Sequence, residues 1–384
     1  MKKFDSIMLL LVIMGAVMSV FYIQYGKAGP MTVYVDDDNV SGPWDGTLQY
    51  PYRNITSGLE HASSNDVIFV YNGTYYETLK MNKSVSLVGE NKYGTIIDGN
   101  FTDNVMVITA DNVNISNFTI RNAHTELEMW SGVVLEHSKG CNISNNIITN
   151  NFYGIMLTES SNNTIANNYV VCVSQYLGVA LYYSSNGNTI TNNTVSSGYM
   201  AILLSRSDYN TLKGNKVYSN GYGIRLANSN NNTIVANEAF NNSIGIYIAA
   251  YWAVGRNNLV YHNNLINNTD LQAAETANST NTWHGGYPSG GNYWSNYNGT
   301  DHYSRPSQNE PRRDGMGDTA YLIPFGNSSD QYPLMKPHGV QQSHDVAITS
   351  TVTSKTIIGQ GYSLDINVKS VNYGINTETF NVTA

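Results

Sequence analysis

Few side chains in this sequence have both the type and the spacing for chemistry. Glu136 and Glu159 are acids on neighbouring repeat units, and glycoside hydrolysis needs two carboxyl groups facing each other within several ångströms. A polysaccharide lyase would instead need a base such as Arg or Lys beside acidic calcium ligands. Arg206 and Arg225 sit one repeat apart, but no carboxylate cluster accompanies them. What the same stretch does supply is Tyr182, Tyr183, Tyr222 and Tyr247 beside those two arginines. Flat rings and fixed donors suit apolar sugar faces and sugar hydroxyls, although strand tyrosines are also commonly exposed with no ligand.

A second group is acidic. Asp301, Asp314, Asp318 and Asp330 cluster late in the chain, and DGMGD at 314–318 has the look of a calcium loop, where oxygen ligands alternate with glycine. Calcium is the metal such a set would take. Arg312 and Arg313 stand where these loops usually carry further acids, and Asp-Gly turns are frequent without any metal. His124, His137, His262, His284 and His302 are scattered, and the only cysteines are Cys141 and Cys172, so neither a copper centre nor a disulfide framework follows from spacing.

The elements that must position these residues come from a repeat. Gly-aliphatic segments begin at 131 (SGVVLEHS), 153 (YGIMLTES), 177 (LGVALYYS), 200 (MAILLSRS), 222 (YGIRLANS) and 244 (IGIYIAAY), so successive starts are 22 to 24 residues apart. A second signal follows in each unit: NISNN at 142, NTIANN at 163, NTITNN at 188, NTLKGN at 210, NTIVAN at 232 and NLVYHN at 258. Helical pairs need longer units with 3.6 periodicity, whereas GIRLA and GIYIA alternate with period two. Leucine-rich repeats would need more Leu positions than these short units hold. The remaining architecture is a parallel β-helix, one coil per repeat.

Alternation then assigns faces. Val133, Ile155, Val179, Ile202, Ile224 and Ile246 form one inward column, and Leu135, Leu157, Leu181, Leu204, Leu226 and Ile248 the next. Val134, Met156, Ala180, Leu203, Arg225 and Tyr247 should then line an outward groove. Of 52 asparagines, 29 lie between 142 and 268, which makes an architectural role more economical than a binding one. Asn146, Asn168, Asn193, Asn215, Asn237 and Asn263 follow inward aliphatics by three positions. They are expected to stack as an inward ladder that satisfies backbone groups of adjacent coils, each worth about 1–3 kcal/mol. Other asparagines, such as Asn241 and Asn242, are expected to turn corners.

Composition limits the partners. With 12% charged residues, a net charge of −8 and no basic stripe, the chain is a poor match for nucleic acid. Lys2 and Lys3 precede an apolar run from Ile7 to Ile23, which reads as a secretory signal or a membrane anchor. N-x-S/T sequences from Asn54 to Asn327 agree with an exported glycoprotein, though they recur by chance in an Asn-rich chain. The expected organisation is a signal or anchor at 1–30, a capping region with first coils at 31–103, and regular coils at 104–268. A closing cap at 269–337 and a linker at 338–343 follow. Residues 344–384 alternate like about three strands of an immunoglobulin-like sandwich, fewer than the seven of a whole one. Asn54 before ITSGLEHA marks a capped short helix over the open end of the first coil.

These residues also carry a family resemblance. DGTLQYPYRNITSGLEHA, NDVIFVYNGTYYE and SVSLVGE, followed by the NNTI and NKVYSN repeats, resemble right-handed parallel β-helix proteins of the NosD type. That group shares the repeat pattern of carbohydrate-binding proteins and sugar hydrolases. GGNYWSNYNGTD and DGMGDTAYLIPFGNSSDQYPL are similar to the closing segment of archaeal surface members, and HDVAITSTVTSKTIIGQGYSLDINVKSV to the opening of CARDB-like adhesion domains. The resemblance implies an all-β, pectate-lyase-like solenoid followed by a partial sandwich. It implies a secreted or surface-tethered, non-catalytic scaffold that recognises polysaccharide or cell-surface glycan. Its rivals are a polysaccharide lyase or glycoside hydrolase, and an accessory to copper-site maturation.

Overall fold

The computed structural model describes residues 29–124, 130–172, 176–249 and 255–339, together with the backbone of strands Val346–Thr353 and Ile366–Asn372. The chain forms two compact units that part between Gly198 and Tyr199. The expected signal or anchor falls outside the described residues, among which no helix is long and apolar enough to cross a membrane.

In the first unit each coil contributes one strand to each of three parallel sheets, the pattern of a parallel β-helix. The sheet of longest strands runs through Ser131–Glu136, Tyr153–Thr158 and Leu177–Tyr182. Val133 pairs with Ile155 and Ile155 with Val179, while Leu135, Leu157 and Leu181 form the parallel column. All six are fully buried, and each contributes roughly 1.5–3 kcal/mol of apolar burial. Asn54 caps the helix Ile55–His61, its Oδ1 accepting from the Ser57 amide at 2.8 Å, and the Glu77 carboxylate takes the Ile55 and Thr56 amides.

The second unit repeats the plan. Met200–Ser205, Tyr222–Ala227, Ile244–Ala249 and Leu271–Glu275 pair in parallel, with Ile224 opposite both Ile202 and Ile246. Glycine opens several of these strands because the coils approach closely: a Cβ on Gly223 would lie 2.6 Å from the Gly245 carbonyl oxygen. After the last long strand, Thr280–Thr282 and Tyr293–Trp294 still pair in parallel, and short antiparallel pairs then follow, Tyr303–Ser304 with Glu310–Pro311 and Tyr321–Leu322 with Ser329–Asp330; Trp283 and Trp294 are buried. Val346–Thr353 pairs antiparallel with Ile366–Asn372; the rest of the expected sandwich lies outside the described residues.

Asparagine builds the corners in pairs with divided labour. The first residue of each pair adopts a left-handed backbone, as at Asn145 (φ 56), Asn167 (φ 55) and Asn192 (φ 53). The second turns inward: Asn146, Asn168 and Asn193 are at most 1% exposed. The Asn146 amide donates to Asn168 Oδ1 and the Asn168 amide to Asn193 Oδ1, both at 3.0 Å, while each Nδ2 reaches back to a carbonyl of the preceding coil. In the second unit the same chain of bonds runs from Asn215 through Asn237, Asn263 and Asn292.

Two further ladders run beside it at the other corners. At one corner Asn163 and Asn188 stack within the first unit, and within the second unit Asn210, Asn232, Asn258 and Asn281 do so. At another corner Asn151 accepts from the Ala123 amide in the first unit, and within the second unit Asn220, Asn242 and Asn268 form a ladder. Asn242 is therefore a buried ladder member, not a corner residue as expected; only Asn241 (φ 53) turns the chain.

In the second unit each ladder ends on a different acceptor. Asn292 donates to Asp330, Asn281 to Glu275 and Asn268 to Gln272. The direction explains the choice. Each side-chain oxygen accepts from the preceding coil, while the backbone N–H, joined by Nδ2 at positions such as Asn237 and Asn263, donates to the oxygen of the next, so the last member presents donors that no further ladder oxygen meets. A buried acceptor, in two ladders a carboxylate, satisfies it.

Candidate functional site

The expected ligand face resolves into separate groups. In the second unit the parallel register sets Arg225 against Tyr247 and Tyr222 against Ile244 on neighbouring long strands. The rings of Tyr222 and Tyr247 stack with centroids 5.8 Å apart and planes 16° from parallel. The Arg225 guanidinium carbon lies 5.0 Å from the first ring centre and 5.7 Å from the second. Tyr199 meets Tyr222 edge-on at 5.5 Å and is 46% exposed. Burial pushes the Tyr222 hydroxyl above its ordinary range, with neighbouring Tyr199 adding to the effect.

Arg225 was expected to offer its donors on an open face. It is only 6% exposed, and one of its terminal nitrogens lies 3.9 Å from Met200 Sδ. A cation held against two ring faces this way fixes the rings; the half-buried Tyr222 and Tyr247 and the exposed Tyr199 are what solvent meets. Tyr199 was missed because it precedes the Gly-aliphatic strand, where the alternation says nothing. Arg206 is exposed but occupies the left-handed corner after its strand (φ 52), away from the strand face.

Tyr182 and Tyr183 belong to the first unit. Their rings lie 5.8 Å apart, Tyr182 also meets Tyr153 edge-on at 6.4 Å, and Tyr183 sits at a corner with φ 48. The outward column is not an open groove, as alternation had suggested. Val134 and Ala180 in the first unit, and Leu203 in the second, are nearly as buried as the core. Period two assigns a direction to a side chain, but shielding depends on what packs over the sheet.

The acids are dispersed. Glu136 ends its strand, and Glu159 occupies the next corner (φ 49), where its carboxylate lies 3.5 Å from His137 Nδ1. Both partners are exposed, so the contact is worth little. In the second unit the outward positions of the long strands are Leu203, Ser205, Arg225, Ala227, Tyr247, Ala249 and Ala274, with no acid among them.

The four aspartates expected to gather round calcium do other work. Asp301 accepts from the Asp314 and Gly315 amides at 3.1 and 3.0 Å, and Asp318 from the His302 and Tyr303 amides at 2.9 Å. Although desolvation opposes it, those amides hold the Asp318 carboxyl below its usual range. Asp314 takes the Met316 amide and Gln308 Nε2. Asp330 is fully buried and accepts from the Asn292 amide, the Trp294 indole and the Tyr332 amide at 2.7–3.0 Å; burial pushes its pKa up to about 6 against those bonds. Among the described residues no three His, Cys, Asp or Glu side chains converge on a metal position.

The described residues do not fit a copper centre either. His262 and His338 stack face to face, 3.9 Å apart and 12° from parallel, so their in-plane lone pairs do not converge. His262 Nε2 lies 2.7 Å from the Ser289 carbonyl and must donate to it. The His284 Nδ1 accepts from the Gly286 amide, and burial lowers the affinity of His284 for a proton. Cys141 and Cys172 are free but buried, which raises both thiols, Cys172 to about 12.

A family model described as periplasmic copper-binding protein (NosD) matches residues 57–299. Among curated proteins none matches the chain. Solved structures with a similar fold include pectate lyase Pel9A, at 14% identity and a TM-score of 0.52, covering 75% of this chain and 87% of that one. A DFA-IIIase from Arthrobacter chlorophenolicus A6 in complex with GF2 aligns at 12% identity and a TM-score of 0.51, covering 68% and 79%. The Dettilon tailspike protein gp208 aligns at 18% identity and a TM-score of 0.49 over 66% of this chain, which spans about half (54%) of the tailspike. For Pel9A and DFA-IIIase the likeness is one of fold, the parallel β-helix expected from the repeats.

Proposed function

The chain belongs to the NosD family, and on that footing we propose that it is an exported, surface-associated β-helix that binds glycans without cleaving them. The observation that carries this reading is the stacked Tyr222–Tyr247 pair held by Arg225, with Tyr199 beside it, on strands whose outward positions hold no carboxylate. Such rings present apolar faces and hydroxyls to a sugar, while acid–base cleavage of a glycosidic bond requires a pair of carboxyl groups. Pel9A, which shares the fold, is named as a pectate lyase, which supports a glycan as the partner. The family model's description as periplasmic supports export, together with the basic and apolar N-terminal sequence. The copper role in that description finds no ligand set among the described residues.

A glycan array, repeated as a degradation assay on the same preparation, tests the proposal. Binding with no release of reducing ends or unsaturated products is expected. Cleavage of any bound glycan overturns it.

A further inference from the structure

Arg312 and Arg313, the two residues that spoil the calcium-loop pattern, face a cavity of about 620 Å³ in the second unit. Tyr287 and Pro288 form one wall, and Ser304 and Arg305 another part of the lining. The volume is in the range of small-ligand sites. The acids at its edge are engaged: Glu310 pairs with Arg305 Nε at 3.0 Å, and Asp314 takes the Met316 amide and Gln308. Arg312 and Arg313 enter none of the ion pairs among the described residues.

The backbone next to them is held by two of the aspartates that were expected to bind metal. Asp318 fastens His302 and Tyr303, Asp301 fastens Asp314 and Gly315, and the Arg312 amide donates to the His302 carbonyl at 2.9 Å. Tyr332 adds a bond from its hydroxyl to the Pro306 carbonyl. A preorganised loop lowers the entropy cost of binding. Guanidinium forks match a planar carboxylate in bidentate fashion, and the Tyr287–Pro288 wall offers apolar surface to a sugar ring. The net charge of −8 disfavours long-range attraction of a polyanion, so recognition here is local.

The geometry points to a second binding site, separate from the Tyr222–Tyr247 face, that takes a uronate-type saccharide residue through Arg312 and Arg313. The test is isothermal titration calorimetry of the full chain with trigalacturonate, its fully methyl-esterified form and inorganic sulfate. Trigalacturonate should bind at least tenfold more tightly than the ester or sulfate. The double variant Arg312→Gln/Arg313→Gln should weaken it at least tenfold, the Lys/Lys variant several-fold, and Tyr247→Ala not at all. Both arginines are exposed, so unchanged melting temperatures are expected. No binding of trigalacturonate, equal binding of the ester or of sulfate, or full affinity in the Gln/Gln variant each overturns the assignment. Loss of affinity in Tyr247→Ala would overturn it too, by merging this site with the tyrosine face.

Discussion

Replacing Asn237 by alanine isolates the energetics of one ladder position. Its Oδ1 accepts from the Asn215 amide at 2.9 Å, and its Nδ2 donates to the Leu212 carbonyl at 2.9 Å, in a site 1% exposed. Alanine leaves an amide and a carbonyl of the preceding coil without these partners. A buried group left unsatisfied costs about 1–3 kcal/mol, so the two together should cost roughly 2–6 kcal/mol. Locally, a loss of about 3 kcal/mol corresponds to an increase of roughly 100-fold in hydrogen exchange at the Asn215 amide, at about 1.4 kcal/mol per factor of ten. The exposed corner residue Asn241 is the control, because Asn241→Ala forfeits only a left-handed preference, about 1 kcal/mol. Asn237→Asp should be worse than alanine, since it sets a carboxylate oxygen against Asn263 Oδ1, where Nδ2 now donates at 2.9 Å. A cost below about 0.5 kcal/mol for Asn237→Ala, or an aspartate tolerated there, would refute the ladder argument.

Other expectations concern single positions. Ala236 precedes Asn237 with φ 56, where the other coils have Asn, Gly or His, so Ala236→Asn should stabilise the chain by about 0.5–1 kcal/mol in urea denaturation. Asp330 has a folded pKa of about 6, above the ordinary 3.8, so its proton favours the folded state. Its contribution is present below about pH 4 and lost as pH rises through 6, roughly two pH decades at about 1.4 kcal/mol each. Asp330→Asn should remove about 3 kcal/mol of pH dependence from stability profiles across that window. Arg225→Ala should cost about 2–4 kcal/mol through lost packing and two cation–π contacts, with a changed near-ultraviolet circular dichroism signal from the freed tyrosines. An unchanged signal would mean the guanidinium does not hold the rings.

The fold was legible because its two signals recur with the coil. Aliphatic alternation and the second column of asparagines each say which side chains face inward, and parallel stacking in register follows. One asparagine ladder could be read directly, but two more could not. Asn163, Asn188, Asn210, Asn232 and Asn258 begin the very segments that define the repeat, yet they look like turn residues because each follows a left-handed residue such as Asn162, Gly187 or Asn231. Only the inward direction of the second member separates the roles, and asparagine is chemically suited to both. The site was harder. Sequence placed Tyr222, Arg225 and Tyr247 on adjacent strands, but it could not show that Arg225 is buried between rings. Nor could it show that Asp301 and Asp318 spend their oxygens on backbone amides, leaving Arg312 and Arg313 beside a cavity.

The most direct test of the account is glycan binding by the chain carrying Tyr222→Ala and Tyr247→Ala, measured on the glycan the native chain selects from an array. Both rings are half-buried at the face, and stacking on aromatic rings contributes about 0.5–1.5 kcal/mol per pair beyond area burial. The account expects affinity to fall by about tenfold or more with ladder-dependent stability retained, and no cleavage products from either protein. Undiminished affinity in the double variant would contradict it.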